Sequence, residues 1–502
     1  MKKSIALLVF IFISPICTAD EISGDNLPGF YLVNTPNARL NNQQKYFSHE
    51  YQKINLRKNE NDSEIRPKHL TGLALSGGGI RSSAYQLGIL SGLYESKKNL
   101  LDIDYISSVS GGSWANGGYW AWASSDEEFF NCLFTAAINP KADCDAAVML
   151  NSEQPFAILP AEGAKLKARK RQWKEYIESV YLPNCNVDAE DIKSTGIDSA
   201  CARNYRTKPY VIINATHSVP TTEQGASEMN MPFQFTLDNI GTISDCHPDM
   251  KCKKGFFVNN ISKDFAWVNN ALFRKDKPEN SLSAAMAASS GVVGAPVLLS
   301  YEYELFYQPR ISLLGNWRGS NIKEIRKEIV LSDGGKSDNL GLVPLIERGV
   351  DLIVISYMGK DNDLNKNPWE DLDIAVKQVK NLLGCDVEKP GLDVDLSKNL
   401  IHESKYTCKN HNGKILHVKA SYGNAKRFVE YLSSIGQSDL VNYLTVKDVE
   451  NNKNENDRFP QTETMKQKYD DELIRSYYLM GRWVAKEYLS DIIKKTQENG
   501  TN

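Results

Sequence analysis

The stretch Leu70-Thr71-Gly72-Leu73-Ala74-Leu75-Ser76-Gly77-Gly78-Gly79-Ile80-Arg81 sets the fold class of this chain. Residues 70–75 form a short, almost continuous apolar run, the pattern of a strand buried on both faces. Three glycines stop it. Beyond them Ala84, Leu87, Leu90, Leu93 and Tyr94 recur at steps of three and four, which gives a helix one apolar face. A second strand-like run, Ile103 to Val109, leads into Gly111 to Trp122, which reads as helical after its first turn. Strand, helix, strand, helix implies right-handed crossovers and an α/β fold with a mainly parallel sheet.

Toward the C-terminus, Pro209–Asn214 and Asp351–Tyr357 read as further strands, and Val343–Arg348 and Trp369–Leu383 as helices. Tyr469, Leu473, Tyr477, Met480, Val484 and Tyr488 keep one apolar stripe over about five turns, so a last long helix is expected to pack on the core. A catalytic domain over 67–360 is expected, with residues 123–206, which hold four cysteines, as an insertion. Residues 361–502 read as a C-terminal helical region whose charged stretch, Lys447 to Arg458, reads by composition as an exposed loop or linker. Residues 20–66, polar and Asn-rich, read as a loosely structured N-terminal arm.

The 502 residues are 41% apolar and 24% charged, ordinary globular values that exclude a mainly disordered or collagen-like chain. Fifty-nine basic side chains against 62 acidic ones leave no overall basic field, so no nucleic-acid partner is expected. Residues 1–19 have the form of a signal peptide: Lys2-Lys3, an apolar run from Ile5 to Ile16, then Cys17-Thr18-Ala19. The run would rise about 18 Å as a helix, short of the ~30 Å hydrocarbon core, which makes a permanent anchor the weaker reading. Export to the periplasm or beyond the cell is therefore expected. Without Cys17, eight cysteines fall in local pairs, Cys132 with Cys144, Cys185 with Cys201, Cys246 with Cys252 and Cys385 with Cys408, as disulfides would. Zinc ligation is the weaker reading because no C-x-x-C occurs. Asn61, Asn214, Asn260 and Asn499 fit the N-x-S/T sequon.

Between Lys165 and Lys174 lie six positive charges, with Leu166, Trp173, Ile177 and Val180 at helical spacing. Such a segment can meet anionic lipid; a solvated helix with its apolar stripe on the core is the stronger reading.

Three segments can carry chemistry. Ser76-Gly77-Gly78-Gly79-Ile80-Arg81, at a strand-to-helix turn, can hold a phosphate or an oxyanion with backbone N–H groups and the positive end of the helix dipole. It lacks both the Walker ending and G-x-G-x-x-G spacing. Ser107-Ser108-Val109-Ser110-Gly111-Gly112-Ser113-Trp114 follows a strand and puts Ser110 where a nucleophile elbow puts its serine, although Ser108 replaces the usual first glycine. Ser332-Asp333-Gly334-Gly335 ends an apolar run with an aspartate that small neighbours leave free to approach another loop; read alone, Asp333 merely starts a turn.

In combination and order, the S-G-G-G-x-R turn at Ser76 to Arg81, the elbow at Ser110 and the D-G-G at Asp333 resemble the patatin-like phospholipases and the related cytosolic phospholipase A enzymes. The run Ser283 to Ser290 followed by Pro296, and Phe459-Pro460-Gln461-Thr462, are weaker echoes of the same family. The resemblance implies a patatin-like three-layer α/β fold with helical and disulfide-containing insertions. It also implies a Ser-Asp dyad of Ser110 and Asp333 with an acyl-serine intermediate, and an oxyanion hole from Gly77, Gly78 and Gly79. Arg81 would then meet a substrate phosphate or make a structural salt bridge. The implied substrate is a phospholipid or lysophospholipid at a membrane surface, and no metal or cofactor is expected. Two other readings stay open: a Ser-Asp-His triad drawing on His402, His411 or His417, each expected to be a surface histidine, and a secreted lipid-binding protein without turnover. A nucleotide-binding protein that uses Gly77 to Gly79 gains nothing from Ser110 or Asp333.

Overall fold

The computed structural model describes residues 47, 50–58, 65–97, 100–122, 124–150, 176–182, 207–219, 229–237, 239–241, 257–259, 282–290, 310–315, 325–359, 369–391, 400–419, 422–450, 459–462 and 469–499. The expected signal peptide, the segment Lys165 to Lys174, Pro296 and the pairs Cys185/Cys201 and Cys246/Cys252 lie outside the described residues. The elements begin with α1 (50–57), β1 (Thr71–Leu75), α2 (Gly79–Lys97), β2 (Tyr105–Val109), α3 (Gly111–Ala121), α4 (Asp126–Ile138) and α5 (176–181). Next come β3 (Tyr210–Val219), β4 (Met229–Thr236), β5 (Asn239–Gly241), β6 (Phe257–Asn259), α6 (Leu282–Ser289), β7 (Arg310–Gly315) and β8 (Ile325–Asp333). They continue through α7 (Gly335–Asp338), α8 (Val343–Glu347), β9 (Leu352–Tyr357), α9 (Glu370–Leu383), β10 (Asp386–Val387), β11 (Ile401–Thr407) and β12 (Asn412–Lys419). The last are α10 (Tyr422–Ser434), α11 (Ser438–Glu450), α12 (Asp471–Val484), a π-helical turn (Ala485–Leu489) and α13 (Ser490–Asn499).

The sheet runs β10-β11-β12-β9-β1-β2-β3-β4-β5-β6. Its centre, β12-β9-β1-β2-β3, is parallel, and its flanks are antiparallel. Alternate side chains enter opposite layers, as the pleat requires. Leu73 and Leu75 of β1 and Val354 of β9 join the layer of α2, α3 and α12, whereas Ala74, Ile353 and Ile355 join that of α1, α8 and α9. This is the three-layer arrangement expected, and it explains why β1 and β9 read as unbroken apolar runs. Helix α12 lies against α2 at very short range: a Cβ on Gly88 would stand 2.0 Å from the Tyr478 carbonyl oxygen, and one on Gly481 2.1 Å from that of Tyr85. Cys132 bonds to Cys144, and Cys385 to Cys408.

Three expectations are corrected. The arm at 20–66 is not loose throughout, because α1 is helical and buries Tyr51 and Ile54. It also carries charge inward: Glu50 makes two hydrogen bonds to Arg348, at 2.7 and 2.8 Å, with both side chains fully buried. The region 361–502 is not only helical, since β12 extends the parallel sheet beside β9 and β11 follows it antiparallel. The inward side chains of β11 are His402, Ser404 and Tyr406, so its burial carries no hydrophobic signature. The third concerns the histidines themselves: His402 and His417 are buried rather than on the surface, and His411 is bonded through Nε2 to the Ile346 carbonyl of α8, at 2.9 Å. A carbonyl oxygen only accepts, so the Nε2 of His411 is the donor there. Of the segment Leu166 to Val180, the described part buries Ile177 and Val180 in the core, the packing expected of a helix with its stripe inward.

Candidate active site

The sheet register brings the elbow and the aspartate together. Strand β2 pairs with β3 as far as Val109 opposite Asn214, and β8 takes up the pairing at the next residue, with Asp333 opposite Ala215. Because β2 runs parallel and β8 antiparallel to β3, their C-terminal ends meet. There the Ser110 hydroxyl donates to Asp333 Oδ2 at 3.0 Å.

Ser110 stands between β2 and α3 at φ 49°, ψ −123°, a conformation that costs a non-glycine residue about 1–3 kcal/mol unless its surroundings impose it. Those surroundings are specific. The Ser110 N–H donates to Ser289 Oγ at 2.8 Å, and the Ser110 carbonyl accepts from the Ser113 N–H at 2.8 Å and its hydroxyl at 2.6 Å. Ser108, the departure from the usual elbow glycine, has a structural use: its hydroxyl donates to the Ile212 carbonyl at 3.1 Å and accepts from Asn116 Nδ2 at 2.9 Å.

Asp333 is 8% exposed and Ser110 7%. Burial pushes the Asp333 carboxyl up from 3.8 to about 6, against the smaller opposing effects of the Gly335 N–H, the Ser110 hydroxyl and the charge of Lys336. The Gly335 N–H donates to Oδ1 at 2.7 Å, which leaves Oδ2 for Ser110. Asp338 shapes the rest of the loop by accepting the N–H groups of Leu340, Gly341 and Val343 at 2.8–3.1 Å.

The Gly-rich turn adjoins the same point. A Cβ on Gly77 would lie 3.2 Å from Ser110 Cβ, and one on Gly111 would lie 2.0 Å from the Gly79 carbonyl oxygen. Gly78, at φ 140°, passes so close to Met358 that a Cβ would stand 2.4 Å from its carbonyl oxygen, so a side chain is excluded on both counts. Gly77 is corrected as an oxyanion donor: its N–H already donates to the Asn339 carbonyl at 2.9 Å. The N–H groups of Gly78 and Gly79 have no hydrogen-bond partner among the described residues, as expected at the start of α2.

Arg81 is corrected as a phosphate ligand. It is fully buried, and its guanidinium donates to the carbonyls of Thr462 and Met358 at 2.5 Å each and of Pro460 at 3.5 Å. It fastens α2 to the Phe459–Thr462 passage. No described histidine has Ser110 as a hydrogen-bond partner, and both ring nitrogens of His417 are engaged, with Tyr357 Oη at 2.7 Å and Ser404 Oγ at 2.6 Å. Burial pushes the His417 imidazole down to about 3, so it is neutral. Among the described residues no group of three or more His, Cys, Asp or Glu is arranged to hold a metal ion. Asn214, despite its sequon, is 2% exposed and donates to Ser107 Oγ and the Ser108 carbonyl, a position closed to a glycan.

Sequence reasoning missed Asn214, Asn339 and the particular role of Ser289. The Ser283 to Ser290 run was a signal for the last, but the register of β2, β3 and β8 is what gives it a partner.

Comparison with curated proteins finds no match. In fold, the chain is similar to the human GIVD cytosolic phospholipase A2, with 12% identity and a TM-score of 0.50, over 95% of this chain and 66% of that one. Two complexes of that human protein with methyl gamma-linolenyl fluorophosphonate, one of them also with terbium chloride, give 12% identity and TM-scores of 0.47 and 0.46 over 91% of this chain and 64% of theirs. The chain thus spans slightly less than two thirds of the human chains it matches. Residues 73–189 match the family model described as patatin-like phospholipase, a segment that includes the Gly-rich turn and the elbow. Over residues 73–189 the chain is thus similar to the patatin-like phospholipase family, and the human structure matches it in fold.

Proposed function

We propose that this protein is a lipid acyl hydrolase that cleaves carboxylic esters of phospholipids or lysophospholipids through a Ser110-Asp333 dyad. The observation that carries the reading is the strained, buried Ser110 with its hydroxyl 3.0 Å from a carboxylate raised to about 6. A base with a pKa near working pH is ionised yet basic enough to take a proton.

In this reading Ser110 Oγ attacks the acyl carbonyl as its proton passes to Asp333 Oδ2, and the N–H groups of Gly78 and Gly79 hold the oxyanion. Collapse of the adduct breaks the ester C–O bond, and Asp333 returns the proton to the departing alcohol. Water then attacks the acyl-serine with Asp333 again as base, releasing the fatty acid and restoring Ser110. The substrate would be met at a membrane surface, and the same reading takes residues 1–19 as the signal that exports the protein.

The test is fatty acid release from vesicles of phosphatidylcholine, phosphatidylethanolamine and lysophosphatidylcholine by the purified protein and by Ser110→Ala. Release by the first and none by the second is expected; equal release by both would remove the assignment.

A further inference from the structure

Ser289, the last residue of α6, sits between the two halves of the site. Its side chain accepts the Ser110 N–H at 2.8 Å and donates to the Asn214 carbonyl at 2.5 Å, while its own carbonyl accepts the Gly334 N–H at 3.0 Å. One residue therefore ties down the elbow through its hydroxyl and the loop that bears Asp333 through its backbone. It is fully buried, as is Asn214, so neither bond is exchanged for water. The next residue strengthens the arrangement: Ser290 Oγ accepts the Trp114 indole N–H of α3 at 3.0 Å and donates to the Met286 carbonyl at 2.9 Å.

Ser110 occupies a conformation that an L-residue leaves when it can, and the element that prevents it must grip the backbone of Ser110 itself. We infer that Ser289 is a positioning residue for the hydrolytic reaction: its hydroxyl bridges Ser110 N–H to Asn214 and so sets the direction of Ser110 Oγ toward Asp333. The inference rests on the hydrolase reading. It also separates the two ties by chemistry. Replacing the side chain removes the elbow's anchor but leaves the carbonyl that holds Gly334, so Asp333 stays in place while Ser110 relaxes.

The experiment uses the full chain carrying Ser289→Ala or Ser289→Cys. The second nearly keeps the volume of serine but makes only weak hydrogen bonds, so it preserves packing if alanine does not. Sites are counted by end-point labelling with a reporter fluorophosphonate, and kcat and KM are measured on a soluble p-nitrophenyl acyl ester. Loss of a buried hydrogen bond at a reacting group is expected to lower kcat per labelled site by roughly 10- to 100-fold, with KM within about twofold. A merely structural serine would reduce the number of labelled sites and leave kcat per site unchanged, and that result in Ser289→Cys overturns the inference. The two readings fail differently: if wild type and Ser110→Ala are equally active or equally inert, the hydrolase reading is lost. If Ser110→Ala alone is inert and both Ser289 variants turn over at the wild-type rate, only the role of Ser289 is lost.

Discussion

Replacing Asp333 with asparagine should make the protein more stable as it becomes inactive. In the unfolded chain this carboxyl titrates near 3.8, and in the folded protein burial holds its proton up to about 6. Below about pH 3.8 both states are protonated and the carboxyl costs nothing. As pH rises from there the folded form binds more protons than the unfolded one, so stability falls; above about 6 the full cost persists. At ~1.4 kcal/mol for each pH unit, the cost comes to about 3 kcal/mol. Asparagine keeps an Oδ1 for the Gly335 N–H and is never charged, so it avoids the cost at every pH. Urea unfolding of wild type and Asp333→Asn at pH 8, with disulfides intact, should show the variant more stable by about 3 kcal/mol. At pH 4 most of that gain should have gone. The opposite window governs catalysis, because the base must be ionised: wild-type kcat should fall as pH drops through about 6. Equal stabilities at pH 8, or a gain that does not shrink on acidification, would refute the view that a desolvated carboxylate at 333 is what the fold sustains for its reaction.

Arg81→Gln should destabilise the protein by about 3 kcal/mol, because it strips three buried carbonyls of a charged donor. Its KM values for a phospholipid and for an uncharged ester should change by the same factor, and a rise confined to the phospholipid would show a phosphate contact instead. Gly88→Ala places a methyl 2.0 Å from the Tyr478 carbonyl oxygen and should lower the urea midpoint by the equivalent of about 1–3 kcal/mol. His417→Gln should keep kcat per labelled site within about threefold, whereas a fall of roughly 100-fold or more would replace the dyad with a histidine-assisted mechanism.

The strand-turn-helix units around Ser76 and Ser110 were legible because a parallel strand buried on both faces is written as an apolar run, and a tight turn into a helix is written in glycine and serine. The same logic failed where burial is polar. Strand β11 turns His402, Ser404 and Tyr406 inward, and α1 brings Glu50 to a buried arginine, so hydrophobicity is silent about both. The motifs marked Ser110 and Asp333 individually. Their contact arises because β2 and β8 abut along one edge of β3, a tertiary fact with no local trace. Arg81 illustrates the reverse error: next to a Gly-rich turn its charge suggested a ligand for phosphate, while its donors are directed to Pro460 and Thr462, some 380 residues away in the chain.

The contact of α2 with α12 has a consequence for how the protein is made. Tyr478 and Ser91, hydrogen-bonded at 2.8 Å, are 387 residues apart in sequence. A polypeptide emerging from the ribosome therefore displays α2 without its partner helix for most of its synthesis. The apolar surface that α12 will cover is open to chaperones and to aggregation during that time, and contacts of such long range are slow to close. The start of α2 is also the Gly-rich turn beside Ser110, pinned through Arg81 by residues made almost as late. In the proposed hydrolase reading, the turn beside Ser110 is completed only once α12 has been made and docked, so activity would be acquired at the end of the protein's own assembly.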